Sequence, residues 1–184
     1  MPLKIAVIVG SLRKASFNRA LAQALVRLPE GEGHAFEFAE IGDLPLYNQD
    51  DDGNQAEAVK RLKAQIRAAD AVIFVTPEYN RSIPGVLKNA IDHASRPHGD
   101  SAWGGKPAGI LGISPGQTGT AMSQQHLRNV LAGVGVHVMA LPEVYLQHRD
   151  GMFAEDGTLV ERTATFVGKW LGALLAHAEL HRAG

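Results

Sequence analysis

The chain has 184 residues, which suits one domain on a scale of about 150 residues per domain. Hydrophobic residues make up 45% and charged residues 20%, so a disordered or fibrous chain is excluded. Eighteen basic and nineteen acidic residues give a net charge of −1, a balance that disfavours nucleic-acid binding. The absence of cysteine excludes disulfides, thiolate metal sites and cysteine nucleophiles. We expect residues 1–184 to form a single domain.

No targeting segment and no apolar run long enough to span a bilayer is visible in the sequence. We therefore expect a cytoplasmic protein that does not insert into membranes.

Apolar residues alternate along the chain between short buried runs and helical spacing. The predicted strands cover residues 4–9, 35–41, 71–76, 108–113 and 136–141. The predicted helices cover residues 18–28, 55–69, 84–95, 120–134 and 161–181. Asp-Gly pairs before the last helix indicate a loop or hairpin there.

Five strands that alternate with helices predict a parallel sheet covered on both faces. The fold class is therefore α/β, as a flavodoxin-like three-layer sandwich with the strand order 2-1-3-4-5. In such sheets the ligand site lies at the carboxyl ends of the strands, where the order reverses between the first and third strands. Function should sit in the three loops that follow Val9, Thr76 and Ile113.

The first loop, residues 10–18, joins a buried strand to a helix N-terminus, which is a natural anion site. Its hydroxyls at Ser11 and Ser16, its amide at Asn18 and its cation at Arg13 suit a phosphate. The loop lacks the endings of a nucleotide P-loop and of a dinucleotide fingerprint. The alternative is a plain polar turn in which Ser16 caps the helix.

The second loop, residues 76–85, carries an aromatic residue, an amide and two charges between Pro77 and Pro84. Because the two prolines fix the backbone at both ends, this loop could hold a flat polar ring. The alternative is a proline-braced turn whose Tyr79 packs on the surface.

The segments G-S-L-R-K-A-S-F-N and P-E-Y-N-R-S-I-P-G-V-L-K-N-A-I-D resemble those of the NAD(P)H-dependent FMN reductase family. Within that family, the chain is most similar to bacterial quinone and chromate reductases. The resemblance covers nearly the whole chain, and Ala15 stands where many relatives carry glycine.

The resemblance implies a set of cofactor-binding residues in the three loops. Contacts with the FMN phosphate are implied for Ser11, Arg13, Ser16, Phe17 and Asn18. Contacts with the isoalloxazine ring are implied for Pro77, Glu78, Tyr79 and Asn80, with Ser82 nearby. The third loop, residues 114–119, is implied to close over the flavin through Ser114 and Gly116.

The resemblance also implies an activity. FMN would be held without a covalent bond and would take a hydride from NADPH or NADH. It would then reduce a small-molecule acceptor by two electrons, a quinone first of all, with chromate, azo and nitro compounds as further candidates. Backbone N–H groups of residues 78–80 would stabilise the reduced ring. No side chain is expected to act as a catalytic acid or base. The resemblance also implies that the helix carrying His126 and Arg128 packs against a partner subunit, in a homodimer or homotetramer.

Other interpretations of the sequence remain open. A flavodoxin-type electron carrier, or an enzyme that releases reduced FMN to a monooxygenase, would share the fold and cofactor. Residues 112–116 also match the G-x-S-x-G nucleophile elbow, although Pro115 lacks the N–H that the oxyanion hole needs. His177 and His181 stand four apart without an apparent third ligand, and we expect no metal.

Overall fold

A parallel β-sheet forms the middle layer of the computed structural model, which describes residues 1–182. Its strands are β1 (Lys4–Val9), β2 (Ala35–Ala39), β3 (Ala71–Val75), β4 (Pro107–Ser114), β5 (His137–Val138) and β6 (Val144–Gln147). They run in the order β2-β1-β3-β4-β5, and β6 pairs with β4 as well. The predicted flavodoxin-like order is confirmed.

Helices cover both faces of the sheet. They are α1 (Phe17–Leu25), α2 (Glu57–Ala68), α3 (Gly85–Ala94), α4 (Ala121–Gly133) and α5 (Glu161–Arg182). Short 3-10 helices cover Pro29–Gly31 and Gln49–Asn54. Among residues 1–182, no helix combines the length and the apolar character that crossing a membrane requires.

The strand side chains alternate between two hydrophobic clusters, one on each face. Ile5 and Val7 of β1 belong to the cluster built with α1 and α5. Ala6 and Ile8 belong to the cluster built with α2, α3 and α4. A strand buried on both faces reads as an unbroken apolar run, which is why β1 and β3 are visible in the sequence.

The fifth strand position differs from the prediction. Instead of one strand over residues 136–141, β5 pairs with the start of β4 and β6 pairs with its end. Pro142 lies between the two short strands and has no N–H to donate to a ladder, so the pairing is interrupted. The loop expected after residue 141 thus contains a strand of its own.

The sheet brings the three loops together at one edge. Val9 lies opposite Val75, and Val75 lies opposite Leu111, so the three strands end at nearly the same level. Because α1 and α3 leave towards opposite faces, a crevice opens between the first loop and the second loop.

Candidate functional site

A cavity of about 290 Å³ opens at the carboxyl ends of β1, β3 and β4. Its lining consists of Ser11, Arg13, Ser16, Phe17, Asn18, Pro77, Glu78, Tyr79, Ile113, Ser114 and Pro115. The structure thus brings together every predicted residue of the first loop and parts of the other two loops. Asn80, Ser82 and Gly116 lie outside this lining, whereas Ile113 and Pro115 belong to it without having been predicted.

The backbone of the first loop offers a row of free donors. No backbone N–H from residue 11 to residue 18 has a hydrogen-bond acceptor within residues 1–182. Ser11 is only 6% exposed, and its hydroxyl also has no hydrogen-bond partner within the described residues. Unpaired N–H groups at the start of α1 carry partial positive charge, so this loop is built to receive an anion.

The Ser16 side chain contributes to the fold as well as to the cavity. Its Oγ accepts a hydrogen bond from Arg19 N at 3.2 Å and so caps α1, which confirms the capping interpretation. A hydroxyl that accepts in this way still has its own hydrogen to donate to a ligand.

Asn18 ties the first loop to the third. Its Nδ2 donates to Ile113 O at 2.8 Å, and its Oδ1 accepts from Ile113 N at 3.1 Å. β3 has already ended at this level, so the amide pairs with β4 as a further strand residue would. The Asn18 side chain is therefore engaged, and its backbone N–H is the group left for a ligand.

Arg13 and Phe17 form a stacked group at one wall of the cavity. The Arg13 guanidinium lies 4.8 Å from the Phe17 ring centroid and donates to Ala15 O. The Phe17 ring also stacks on His148, with 3.8 Å between centroids and 24° between planes. No sequence pattern predicts this role of His148, because it follows β6 and lies far from the first loop in the chain.

The second loop contains a tight hairpin turn. Tyr79 and Ser82 exchange both backbone hydrogen bonds at 3.0 Å, and the two residues between them have positive φ, 52° at Asn80 and 65° at Arg81. This is the pattern of a two-residue primed turn. The backbone N–H groups of Glu78, Asn80 and Arg81 have no acceptor in the described chain. The turn leaves the Tyr79 side chain 49% exposed at the edge of the cavity.

The N-terminus of α4 fixes the second loop through the Glu78 carboxylate. Its Oε2 accepts from Met122 N at 3.0 Å and from Ser123 N at 3.3 Å. Ser123 Oγ in turn donates to Pro77 O at 2.9 Å. A carboxylate is stabilised at a helix N-terminus by the free N–H groups and the helix dipole. Sequence reasoning missed this contact because the partners are more than 40 residues apart.

The third loop does not assemble a hydrolase triad. Ser114 Oγ donates to Gly116 O at 3.4 Å, and within residues 1–182 it bonds to no histidine ring. His148 does lie beside Ser114, but it donates its backbone N–H to Ser114 O while its ring stacks on Phe17. In the same described residues, no group of three or more His, Asp or Glu side chains is placed to hold a metal ion.

The fold and the cavity define an α/β protein of the flavodoxin-like class with an anion-binding loop beside a rigid, proline-braced wall. Residues 3–150 match the NADPH-dependent FMN reductase family, and the chain belongs to this family. FMN is thus the cofactor and NAD(P)H the electron donor.

Several relatives align over nearly the full chain. A 2-hydroxy-1,4-benzoquinone reductase of Burkholderia sp. is 49% identical over 92% of this chain and 95% of its own length. A quinone reductase of Pseudomonas putida is 44% identical over 97% of this chain and 96% of its own length. The solved structure of FerB, a flavoenzyme NAD(P)H:(acceptor) oxidoreductase from Paracoccus denitrificans, superposes with a TM-score of 0.92. It is 45% identical and the match covers 97% of this chain and 98% of that one.

The donor set of the cavity fits FMN. A phosphate needs several N–H or O–H donors and a nearby cation, which the first loop offers through its free backbone, the Ser11 hydroxyl and Arg13. A flat ring needs a rigid wall with backbone donors for its polar edge, which the second loop offers between Pro77 and Asn80.

Proposed function

We propose that the protein is an FMN-dependent NAD(P)H oxidoreductase that reduces quinones by two electrons. The main observation behind this proposal is that one cavity connects the unpaired N–H groups of the first loop with the wall formed by the second loop. Relatives at 44–49% identity that are named quinone reductases support the choice of acceptor.

In this proposal the first loop binds the phosphate end of the cofactor. Ser11, Ser16 and the backbone N–H groups of residues 11–18 donate hydrogen bonds, and Arg13 supplies the positive charge. Phe17 gives the loop an apolar side, and Asn18 holds it against β4. The phosphate contacts thereby fix the position of the whole cofactor.

The second loop supplies the electrostatics at the ring. Bound FMN provides the two-electron chemistry that links a hydride donor to a quinone. The free N–H groups of Glu78 and Asn80 are donors for negative charge that develops on the ring, since they have no other acceptor within residues 1–182. The Glu78 carboxylate is engaged with α4, so we assign it to holding the loop rather than to proton transfer. Ser82, Ser114 and Gly116 complete the rim in this proposal.

Three finer points belong to the same proposal. Chromate, azo compounds and nitro compounds are further acceptors, since they can approach the open face of the flavin as a quinone does. The protein forms a homodimer or homotetramer through α4, whose Met122 is 42% exposed. It works in the cytoplasm, where NAD(P)H is regenerated.

An anaerobic absorption titration tests the proposal. The purified protein is incubated with FMN, desalted and mixed with NADPH, and 1,4-benzoquinone is then added. We expect the flavin bands to remain after desalting, to bleach within seconds with NADPH, and to return with the quinone.

The other outcomes favour the alternatives. Bands that resist both NADPH and NADH would favour an electron carrier. Rapid loss of reduced FMN through a dialysis membrane would favour release to a monooxygenase. Failure to retain any flavin would reduce the first loop to a generic anion site.

A further inference from the structure

The tip of the second loop carries a cation on a strained backbone. Asn80 and Arg81 both have positive φ, 52° and 65°. Asparagine tolerates this region, but for arginine the Cβ lies too close to the backbone. Primed turns prefer glycine at the second of these positions. Arg81 is therefore less stable here than a glycine would be.

Within residues 1–182, the contacts of the Arg81 side chain do little to offset this cost. The Arg81 side chain is 75% exposed, and its closest carboxylate oxygen, on Glu78, is 3.9 Å away. Glu78 already accepts two hydrogen bonds from the start of α4. An exposed ion pair at this distance contributes little to stability. Strained residues of this kind cluster at functional sites, where the strain serves binding or reaction.

The position of Arg81 indicates which group of a ligand its guanidinium would contact. Tyr79 lines the cavity, and Arg81 follows two residues later in the Tyr79–Ser82 turn, so an exposed cation stands beside the edge of the proposed flavin site. A donor that approaches the ring from solvent must bring its charged part past this edge. NADH carries a pyrophosphate and NADPH carries a further 2′-phosphate, and a guanidinium binds phosphate through two parallel hydrogen bonds.

We propose that Arg81 is a donor-binding residue whose guanidinium binds a phosphate group of the incoming NAD(P)H. This inference rests on the proposed oxidoreductase function. The strain is retained because the same two-residue turn must hold Tyr79 at the cavity and carry a cation into solvent beside it.

Two variants remove the charge and keep the turn. Arg81→Gly and Arg81→Asn both suit positive φ, and Arg81→Lys keeps the charge on the same backbone. Arg162→Asn, at an exposed residue of α5, is the matched control. For each FMN-loaded protein, KM and kcat are measured with NADPH and with NADH. The dissociation constants of NADP⁺ and NAD⁺ are measured by calorimetry.

We expect KM and the dissociation constant to rise about tenfold in the Gly and Asn variants, with kcat within about twofold of wild type. The Lys variant should retain much of the affinity. Arg81→Gly should also raise Tm by roughly 2–4 °C, because it relieves the backbone strain. A merely structural residue would not make the protein more stable and its donor binding weaker at the same time.

The two donors distinguish the phosphates. A rise for NADPH alone assigns Arg81 to the 2′-phosphate, and an equal rise for NADH assigns it to the pyrophosphate. Unchanged affinity for both dinucleotides overturns the inference, as does a fall in kcat with unchanged KM. If wild type itself is not bleached by either donor, the proposed function fails. If wild type is bleached and the variants bind like it, only the role of Arg81 fails.

Discussion

The Asn18 amide is the contact whose removal tests the site most directly. Its two hydrogen bonds reach both backbone groups of Ile113, a residue that is 1% exposed. Asn18 itself is 3% exposed, so water does not readily replace the amide. Asn18→Ala would leave a buried N–H and a buried C=O without partners, in the place where β3 has ended.

The expected cost follows from those two groups. Each buried backbone group that loses its partner costs about 1–3 kcal/mol, so for two such groups we expect Asn18→Ala to lower the free energy of unfolding by about 2–6 kcal/mol. For a chain of this size, at about 2–4 °C for each kcal/mol, that is a fall in Tm of at least roughly 4 °C and at most roughly 24 °C. The affinity for FMN should fall as well, because the first loop is no longer held against β4.

Urea denaturation of the FMN-free protein measures the first effect, and fluorescence titration with FMN measures the second. Asn54→Ala, at an exposed asparagine that ends the 3-10 helix Gln49–Asn54, is the matched control and should change the free energy of unfolding by less than about 0.5 kcal/mol. A loss for Asn18→Ala no larger than that of the control would refute the bridge between the loops. A normal loss of stability with unchanged FMN affinity would show that the bridge does not organise the cofactor site.

Three further perturbations test other contacts. Arg13→Ala should weaken FMN binding about tenfold or more, because a charge-assisted phosphate contact contributes roughly 1.5–3 kcal/mol; unchanged affinity in a fluorescence titration would refute the phosphate assignment of the first loop. His148→Ala should weaken FMN binding by about two- to tenfold, because Phe17 loses the ring that stacks on it, and His148→Phe should restore the affinity. If His148→Phe does not restore the affinity, the imidazole acts through its proton or charge and the stacking role is refuted. The hydrogen bond from buried Lys63 lowers the pKa of Asp100, so its contribution to stability is full at neutral pH and is lost as the pH falls through that lowered value. In urea denaturation, Asp100→Asn should therefore be less stable than wild type at pH 7, and the difference should shrink below about pH 4; a difference that is independent of pH would contradict this.

Most strands and helices of the fold can be predicted from local patterns of apolar residues in the sequence. β1 and β3 are almost entirely apolar runs, which is the sequence pattern of a strand buried on both faces. The helices follow from apolar spacing, although α1 ends at Leu25 and not at the predicted residue 28, and turns connect it to the 3-10 helix that begins at Pro29. The division of the fifth strand position into β5 and β6 could not be read in the same way. Four residues of β6 depend on pairing with β4 rather than on a pattern of their own.

The polar residues of the cavity can also be predicted from the sequence, because they lie in the loops that follow the strands. Ser11, Arg13 and Tyr79 were predicted from the junctions between strands and helices, and they do line one cavity. Residue types at such a junction are a local property, which a single sequence displays.

Which polar groups are free and which are used by the fold depends on long-range contacts that exist only in the folded protein. Asn18 and Glu78 look alike in the sequence as candidate ligand residues, yet one pairs with β4 and the other caps α4. No pattern around His148 predicts a contact with Phe17, yet the two rings stack. The physical reason is that these contacts join groups more than 40 residues apart along the chain. A hydrogen bond or ring stack of that kind leaves no periodicity, and it exists only once the sheet has brought the loops to one edge.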